Sequence, residues 1–359
     1  MKKLISILLA LPFLIFPTVF YSCGDGDKKN SEADIESFTL KEKEVMEGNA
    51  TIKGTEINIT VKKGTDLSQL TPIFTLSEGA NANPPSGKVQ NFTRPVKYTV
   101  VSEDRTTRRV YTVTVSYPLS AKTFSFETWK SVNNYEEPIE TDAFGNAIAY
   151  WGSSNAGFRL FNLSATPDKF PLTQGTGHIG KGATLVTRKG IKMGLINVPL
   201  VAGSMFTGVM DAAMVATDPS GATKFGQPVT EEPYLIRGFY KYKSGQQMTD
   251  AQGNPINGKD KGTIAVVFYE ADNNLTLNGS NLYTHPSIIA QASFHPTDTE
   301  GDSFQPFTLS LEKTSSAVVD FVRHRYKMAL VFSSSAEGDK YTGAEGSCLM
   351  IDEVEVLTR

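Results

Sequence analysis

The sequence has few of the residues on which several common functions depend. It contains only two cysteines, so a framework of disulfides cannot hold the fold together. Its four histidines occur without the HExxH motif or any other metal-ligand spacing, and no GxSxG nucleophile elbow is present. The 35 basic and 38 acidic side chains give a net charge of −3, which argues against nucleic acid as a partner.

Helical periodicity is also almost absent beyond the N-terminal segment. Short runs of alternating or β-branched residues are instead separated by turns rich in glycine, proline and asparagine. A chain of 359 residues exceeds the usual range of a single core. We therefore predict an all-β protein of two domains, an immunoglobulin-like (Ig-like) β-sandwich followed by a larger jelly-roll β-sandwich.

The N-terminal segment has the organisation of a secretory signal. Lys2 and Lys3 precede an apolar run over residues 4–20, and Cys23 follows just before an acidic stretch. This predicts a signal peptide over residues 1–22 and a flexible tether over residues 23–34; an uncleaved membrane anchor is the alternative. The segment resembles the signals of Bacteroidetes lipoproteins. That resemblance implies lipidation of Cys23, an outer-membrane anchor and, from the acidic stretch, exposure at the cell exterior.

Residues 35–117 predict the smaller sandwich. Ile57 and Ile59 alternate with polar residues, as in a half-buried strand. Two β-branched runs, residues 96–101 and 110–115, flank a short polar turn and predict a hairpin. About seven short strands in a segment of this length are typical of an Ig-like sandwich. The segment resembles the Ig-like modules of Bacteroidetes glycan-utilisation lipoproteins, which implies a spacer.

A short linker, residues 118–122, leads to the second domain, residues 123–359. Its strands are predicted at residues 262–270, 287–294, 304–311 and 326–333. Long turn-rich insertions separate these strands. A jelly roll fits this pattern best.

The predicted closing strand of this domain, residues 343–357, contains the most informative carboxylate. With a period of two, Asp352 shares a face with Met350, Val354 and Val356. A carboxylate among apolar residues is costly unless it is paired or binds a metal. Glu127, in the first predicted strand (residues 124–129), is a second ligand candidate; hydrogen bonds from loop amides to Asp352 are the alternative explanation.

Several motifs together resemble the putative carbohydrate metabolism domain of Bacteroidetes lipoproteins. In chain order they are FETW (126–129), YWGSSNAG (150–157), AGSMFTG (202–208), FGQP (225–228), GFYKY (238–242), SSSAEG (333–338) and GSCLMIDEV (346–354). The resemblance covers residues 123–359 and implies a jelly roll in a glycan-handling surface protein. The two ends also resemble carbohydrate-binding-module jelly rolls, which implies a structural calcium held by Glu127 and Asp352.

Aromatic residues beside polar groups are the expected glycan-binding elements, because sugars present both apolar C–H faces and hydroxyls. Trp151 lies in a segment that has the composition of a loop, with Tyr150, Ser153 and Asn155 nearby. We predict this group as a stacking platform; a tryptophan at the edge of the core is the alternative. Arg237, Tyr240 and Tyr242 form a second candidate patch, which an ordinary solvated sheet face also explains.

Candidate catalytic groups are weaker. Glycoside hydrolysis needs two facing carboxyl groups, but the adjacent acids at 136–137 and 231–232 point opposite ways in an extended chain. Residues 175–181 (GTGHIGK) match part of a phosphate loop, but Gly182 stands where Ser or Thr is needed. We therefore predict no catalytic residue.

The sequence thus predicts a lipid-anchored surface protein that binds an extracellular glycan without cleaving it. Its expected partners are the glycan, the membrane through the lipid anchor, and outer-membrane glycan-uptake proteins. Two alternatives stay open, a glycoside hydrolase acting through carboxylates in the same groove, and a structural or adhesion protein with a protein partner.

Overall fold

The computed structural model describes residues 29–142, 144–193, 196–215 and 218–359, so the predicted signal peptide and Cys23 lie outside the described residues. The chain forms two compact units, one ending at Pro118 and the other beginning at Leu119. Nearly all regular structure in the described residues is β-strand, which confirms the predicted all-β fold. Within these ranges, no helix has the length and apolar character needed to span a membrane.

The first unit contains two sheets. Its strands are β1 (Ile35–Leu40), β2 (Thr51–Lys53), β3 (Glu56–Thr60), β4 (Pro72–Leu76), β5 (Asn81–Asn83), β6 (Val96–Val101) and β7 (Arg108–Ser116). Five strands form one sheet in the order β2-β3-β7-β6-β5, in which β3 and β7 run parallel. The other sheet is the antiparallel pair of β1 and β4.

The core of the first unit lies between these two sheets. Phe38 and Phe74 from the smaller sheet stack with ring centroids 5.4 Å apart, and Tyr98 from the larger sheet packs edge-on against both. Ile57 and Ile59 are buried, as their alternation predicts. Each such side chain contributes about 1.5–3 kcal/mol on burial. The first unit is therefore a sandwich with a core of its own.

The second unit has many more strands, most of them short. The first eleven are β8 (Ser120–Phe124), β9 (Thr128–Val132), β10 (Tyr135–Thr141), β11 (Ala147–Ala149), β12 (Trp151–Ser153), β13 (Leu172–Thr176), β14 (Lys181–Val186), β15 (Arg188–Met193), β16 (Ile196–Val201), β17 (Ser204–Met210) and β18 (Thr223–Phe225). The rest are β19 (Gln227–Val229), β20 (Pro233–Lys243), β21 (Met248–Thr249), β22 (Pro255–Ile256), β23 (Thr263–Glu270), β24 (Ile288–Phe294), β25 (Gln305–Ser310), β26 (Glu312–Lys313), β27 (Tyr326–Ser333), β28 (Gly343–Ala344) and β29 (Cys348–Thr358). Two short helices, α1 (Asn155–Arg159) and α2 (Pro219–Ala222), interrupt them.

Two large sheets face each other in this unit. One has the order β12-β17-β27-β23-β24-β26, with β18 paired to β17 and β19 to β27. The other has the order β13-β14-β29-β20-β25, with β8 paired to β29. Smaller sheets are formed by β9 to β11, by β15 with β16, and by β21, β22 and β28. The predicted order of a smaller sandwich followed by a larger one is confirmed.

Strand β23 shows how the larger core is built. All residues from Thr263 to Tyr269 are buried, so the strand is covered on both faces. Ile264 and Val266 join the core between the two large sheets, whereas Val267 packs outward against a cluster that includes Leu277. Burial on both faces explains why this strand is a continuous apolar run and not an alternating one.

The closing strand, β29, pairs with β8 over residues 120–124. Most of the predicted first strand, residues 124–129, therefore lies outside this pairing. The chain leaves this sheet at Phe126, whose φ of +53° breaks the extended conformation. Part of the predicted linker, residues 120–122, therefore belongs to the sheet.

The predicted face of the closing strand is also corrected. The pairing of β29 with β20 shifts register near Glu353, which adopts a φ of +48°. Such a β-bulge adds one residue and reverses the alternation. Val354 consequently faces the same core as Ile351, whereas Met350 lies on the opposite side and lines a surface pocket.

Candidate functional site

The structure corrects the prediction that Trp151 forms an exposed stacking platform. The ring is only 7% exposed and lies 5.5 Å from the rings of Phe124 and Phe126 and 6.2 Å from that of Phe332. Its segment is not a loop, because Trp151 begins β12, an end strand of the eight-stranded sheet. The tryptophan is therefore a core residue at the sheet edge.

The polar neighbours of Trp151 are structural as well. Asn155 is fully buried, and its side chain accepts a hydrogen bond from the Leu172 N–H and donates one to the Leu172 carbonyl, both at 2.8 Å. Ser153 is buried and accepts a hydrogen bond from the Asn155 backbone N–H. Of this predicted group only Tyr150, at 66% exposure, faces solvent. The group cannot bind a glycan as a unit.

The second predicted patch is divided between two faces of one strand. Arg237 is exposed on the outer face of the six-stranded sheet, where its Nε lies 2.5 Å from a carboxylate oxygen of Glu355. Tyr240 points inward and packs against Phe294 and Phe307. Residues an odd number of positions apart face opposite ways in a strand, so the prediction of a joint site is wrong.

The predicted metal ligands, by contrast, meet at one loop. The loop of the β13–β14 hairpin donates its Ile179 N–H to Asp352 Oδ2 at 2.9 Å and its Lys181 N–H to Glu127 at 3.1 Å. A Cβ at Gly180, whose φ is +54°, would lie 2.2 Å from Glu127 Oε1. The glycines of this segment therefore permit close contact with two carboxylates, which explains the misleading match to a phosphate loop.

Asp352 and Glu127 are the residues that could hold a cation at this loop. Asp352 is fully buried, and its Oδ1 has no hydrogen-bond partner among the described residues. Burial raises the pKa of Asp352, and the nearby Glu127 carboxylate raises it further. Burial together with Asp352 and Glu127 also raises the pKa of Glu353. Calcium prefers carboxylate oxygens, and such an ion would neutralise this buried negative charge.

The adjacent acids have structural partners. Glu136 accepts a hydrogen bond from Gln174, and Glu137 lies 3.8 Å from Lys130. Glu231 accepts a hydrogen bond from the Ser120 hydroxyl, and Glu232 pairs with Arg359 at 3.0 Å. These contacts account for the four side chains without catalysis.

A polar cluster that sequence spacing could not reveal lies around His324. Its Nδ1 is 2.7 Å from Asp272 Oδ2 and 3.6 Å from Glu270 Oε1, and the three ligand atoms lie within 4.8 Å of one another. Asp272 also accepts the Arg325 N–H. The hydrogen bond to Asp272 raises the pKa of His324. Both carboxylate oxygens of Asp272 thus have hydrogen-bond partners in the protein. We therefore interpret the cluster as a link between two loops, which we name the clasp.

A further candidate site is a groove where edge strands of the two large sheets approach each other, which we name the side groove. Its volume is about 710 Å³. The lining residues are Thr263, Tyr283, Gln291, Ala292, Ser293, His295, Thr308, Leu309, Ser310, Glu312 and Ala336. Strands β24, β25 and β26 supply most of them, so the groove combines residues from both sheets.

The side groove contains polar atoms with spare hydrogen-bonding capacity. The carbonyl oxygen Oε1 of Gln291 is buried and has no partner among the described residues. His295 Nδ1 lies 3.2 Å from the Gly262 carbonyl, and in the neutral tautomer whose Nδ1 donates to that carbonyl, Nε2 is an acceptor. Tyr283 also lines the groove, and its hydroxyl can donate a hydrogen bond.

A smaller pocket, which we name the face pocket, opens on the outer face of the six-stranded sheet. Its volume is about 380 Å³, and its lining residues are Thr176, Gly177, His178, Lys241, Asp302, Ser303, Phe304 and Met350. The His178 ring stacks on Phe239 at 3.8 Å with an interplanar angle of 9°. His178 has no metal-ligand spacing in the sequence, and its ring partner Phe239 lies on a strand that is distant in the sequence.

Comparisons with known proteins place both units. The family described as "Putative carbohydrate metabolism domain" matches residues 125–357, and "SGBP, N-terminal" matches residues 35–115. A solved structure from Bacteroides thetaiotaomicron VPI-5482, described as a putative glycoside hydrolase, is 36% identical over 94% of this chain and 99% of that chain, with a TM-score of 0.62. Another so described, from Bacteroides vulgatus ATCC 8482, is 31% identical over 66% of this chain and 98% of that chain, with a TM-score of 0.60. No protein with a curated description matches the chain.

Proposed function

This chain belongs to the putative carbohydrate metabolism domain family, and we propose that it binds an extracellular glycan in the side groove without cleaving it. Both family resemblances predicted from the sequence are confirmed. The observation that carries the proposal is the buried Oε1 of Gln291, which has no hydrogen-bond partner among the described residues and lies in a groove lined mainly by polar residues.

The chemistry of the side groove suits a saccharide. A sugar hydroxyl can donate to Gln291 Oε1 or to His295 Nε2, and it can accept from the Tyr283 hydroxyl. The ring of Tyr283 is 44% exposed, so it offers a flat surface to the apolar face of a pyranose. Leu309 and Ala292 add apolar contact along the same lining. A few oriented polar groups beside apolar surface are typical of ligand sites.

The composition of the groove favours binding over hydrolysis. Among its lining residues, Glu312 is the one carboxylate. Glycoside hydrolysis generally uses two carboxyl groups about 5–10 Å apart. Non-catalytic binding therefore accounts for the groove as it stands.

A glycoside hydrolase is the second candidate function. It is favoured by the description of the two Bacteroides relatives, each as a putative glycoside hydrolase. In that case Glu312 would act as one carboxylate of the pair, and a second acid would have to reach the groove when the substrate binds.

The test uses the chain from residue 29, which contains both compact units, on an array of plant, mucin and microbial polysaccharides. Gln291→Leu keeps the approximate side-chain volume but removes the unpartnered oxygen. We expect it to weaken binding about tenfold, because one hydrogen bond contributes about 1–1.5 kcal/mol. Gln252→Leu, at an exposed turn outside the groove, is the matched control.

Reducing ends are counted in parallel on every glycan that binds. Binding without new reducing ends, weakened by Gln291→Leu and not by Gln252→Leu, supports the proposal. Sugar release that disappears in Glu312→Gln supports the glycoside hydrolase and contradicts non-catalytic binding. Absence of binding to any glycan favours the structural or adhesion role and refutes the proposal.

We further propose that Cys23 carries a lipid that anchors the protein in the outer membrane and exposes it to the cell exterior. The support is the charged start, the apolar run and the cysteine of the N-terminal sequence. In this setting the first unit acts as a spacer, and outer-membrane glycan-uptake proteins are the expected partners. Labelling with a fatty-acid analogue should modify the wild type and not Cys23→Ser, and external protease should digest the protein on intact cells.

We also propose a structural calcium at Glu127 and Asp352, because Asp352 Oδ1 has no hydrogen-bond partner in the described ranges. The ion would connect the start of the second unit to its closing strand by neutralising buried charge. At a hundredfold excess over its Kd, a ligand stabilises the folded state by about 2.7 kcal/mol, which raises the Tm of a domain of this size by several degrees. EDTA should reverse the increase.

Variants distinguish this site from general ion effects. Glu127→Gln should abolish the response of Tm to calcium, and Asp352→Asn should do the same if it folds. Glu345→Gln removes an exposed acid elsewhere in the second unit and should keep the response. A Tm that calcium leaves unchanged in the wild type contradicts the calcium proposal.

A further inference from the structure

We infer that the face pocket binds a saccharide unit that carries an anionic group, such as the carboxylate of a uronic acid. The inference rests on the proposed glycan-binding function but concerns a different site, on the outer face of the six-stranded sheet. Its basis is a stacked aromatic pair beside a lysine whose ion-pair partner is exchangeable.

The aromatic pair gives the pocket a flat wall. His178 lies parallel to Phe239 at 3.8 Å, and Phe304 stands at 67° to it with a centroid distance of 6.1 Å. The His178 residue is exposed, so one face of its ring packs on Phe239 while the rest of the ring borders the pocket. A pyranose can contact such a surface with its C–H face.

Backbone hydrogen bonds hold the loop that carries His178 in place. Its Ile179 and Lys181 N–H groups bind the carboxylates of Asp352 and Glu127. The position of the imidazole is therefore set by the loop backbone as well as by the contact with Phe239. A preorganised ring loses less conformational entropy on binding than a mobile side chain does.

Lys241 supplies a positive charge to the lining of the pocket. Its side chain is 25% exposed, and its Nζ donates to Asp302 Oδ1 at 2.8 Å and to the Asp302 carbonyl at 3.1 Å. An ammonium group has three N–H donors. The described contacts of Lys241 use two of them, so one remains for a ligand. The hydroxyls of Thr176 and Ser303 border the same space.

The present partner of Lys241 is easily replaced. The Asp302 side chain is fully exposed, and exposed ion pairs contribute little to stability because water solvates both charges. A carboxylate on a ligand can therefore take the position of the Asp302 carboxylate while Lys241 keeps its charge compensated. The pocket has Asp302 as its one lining acid, so displacement of that group leaves an anion-accepting site. Glu353 interacts electrostatically with His178, and Asp352 accepts a hydrogen bond from the same loop, so both are competing negative charges near the pocket.

The test measures binding of three probes to the chain from residue 29 by calorimetry: an oligogalacturonide, a sulfated oligosaccharide and a neutral oligosaccharide of equal length. Lys241→Met keeps the apolar stem and removes the charge, so it should weaken binding of the anionic probes at least tenfold. Lys243→Met is the matched control, because Lys243 lies on the same strand and pairs with Asp298 outside the pocket lining. It should change binding less than twofold.

The variant Asp302→Asn tests most directly whether binding becomes tighter or weaker when the competing carboxylate is removed. It removes the competing carboxylate, so anionic probes should bind several-fold more tightly. If Asp302 instead binds sugar hydroxyls, the same change weakens binding and the inference is wrong. His178→Ala should weaken binding of every probe that occupies the pocket, and circular dichroism checks that each variant is folded.

The outcomes separate this inference from the proposed function. If binding of neutral glycans requires Gln291 and binding of no anionic probe requires Lys241, the proposal for the side groove stands and the inference about the face pocket is refuted. Anionic binding that depends on Lys241 but not on Gln291 would support the pocket alone. Equal losses in Lys241→Met and Lys243→Met indicate unspecific attraction by surface charge and contradict the inference. Preference for the uronate or the sulfate probe identifies the anionic group.

Discussion

Two buried amides in the larger sandwich show what separates a structural polar residue from a binding one. Asn155 and Gln291 carry the same functional group, but the side-chain oxygen and nitrogen of Asn155 both form hydrogen bonds with the backbone of Leu172. Gln291 Oε1 is buried, has no hydrogen-bond partner within the part of the chain that the structure describes, and belongs to a residue that lines a groove of about 710 Å³. Trp151 Nε1 also has no partner there, but it lies among core aromatic rings. A binding residue therefore needs both spare hydrogen-bonding capacity and an adjacent cavity.

The largest effect in this comparison is expected at Trp151. Trp151→Ala removes a ring packed against three phenylalanines and should lower the free energy of unfolding by about 3–5 kcal/mol. Tyr150→Ala, at the adjacent exposed aromatic, should stay within about 0.5 kcal/mol of the wild type. Chemical denaturation of both variants measures the difference. Equal stabilities would show that Trp151 is not a core residue.

Asn155→Ala should produce the next largest effect. The change leaves the Leu172 N–H and carbonyl without their side-chain partners, which costs about 1–3 kcal/mol for a buried group. Asn58→Ala removes an exposed asparagine of a strand in the first unit and is the control. Thermal unfolding is the measurement, and a Tm as high as that of the control would contradict the structural role of Asn155.

Gln291→Leu is expected to behave in the opposite way. It removes a buried oxygen that has no partner, so the free energy of unfolding should stay equal or rise by less than about 1 kcal/mol. Binding of the glycan should fall at the same time. A large loss of stability would mean that Gln291 supports the fold, and it would remove the contrast with Asn155.

The smallest effect concerns the clasp of His324, a polar cluster that is satisfied but half exposed. The hydrogen bond to Asp272 raises the pKa of His324 above 6.5, its ordinary value. A raised folded-state pKa gives stability that is fully present below the unfolded pKa and is lost as the pH rises through the folded pKa. An NMR titration should show the raised value in the wild type and a lower one in Asp272→Asn. An equal pKa in both proteins would contradict the clasp.

The strands were predictable because their signals are local. Ile57 and Ile59 revealed their strand by simple alternation, and the apolar residues at 262–270 predicted the strand that the structure shows as β23. The closing strand was misread because the bulge at Glu353 shifts the phase of the residues after it. A bulge depends on pairing with a second strand, which alternation within one strand does not show.

The candidate sites were less predictable because they combine distant segments. Trp151 suggested a loop through its glycine and serine neighbours, yet those small residues belong to an edge strand and a helix start. Gln291 and His178 carried no signal of their own, because their surroundings come from other strands. The meeting of Glu127 and Asp352 at one loop could be anticipated, since each is adjacent to one end of the same domain.

The measurement that tests the central claim most directly is a calorimetric titration of the best array glycan, with reducing ends counted in the same samples. The account predicts that Gln291→Leu weakens binding about tenfold, that Gln252→Leu binds like the wild type, and that no new reducing ends appear. Unchanged affinity in Gln291→Leu would contradict the placement of the site. Accumulating reducing ends would contradict non-catalytic binding.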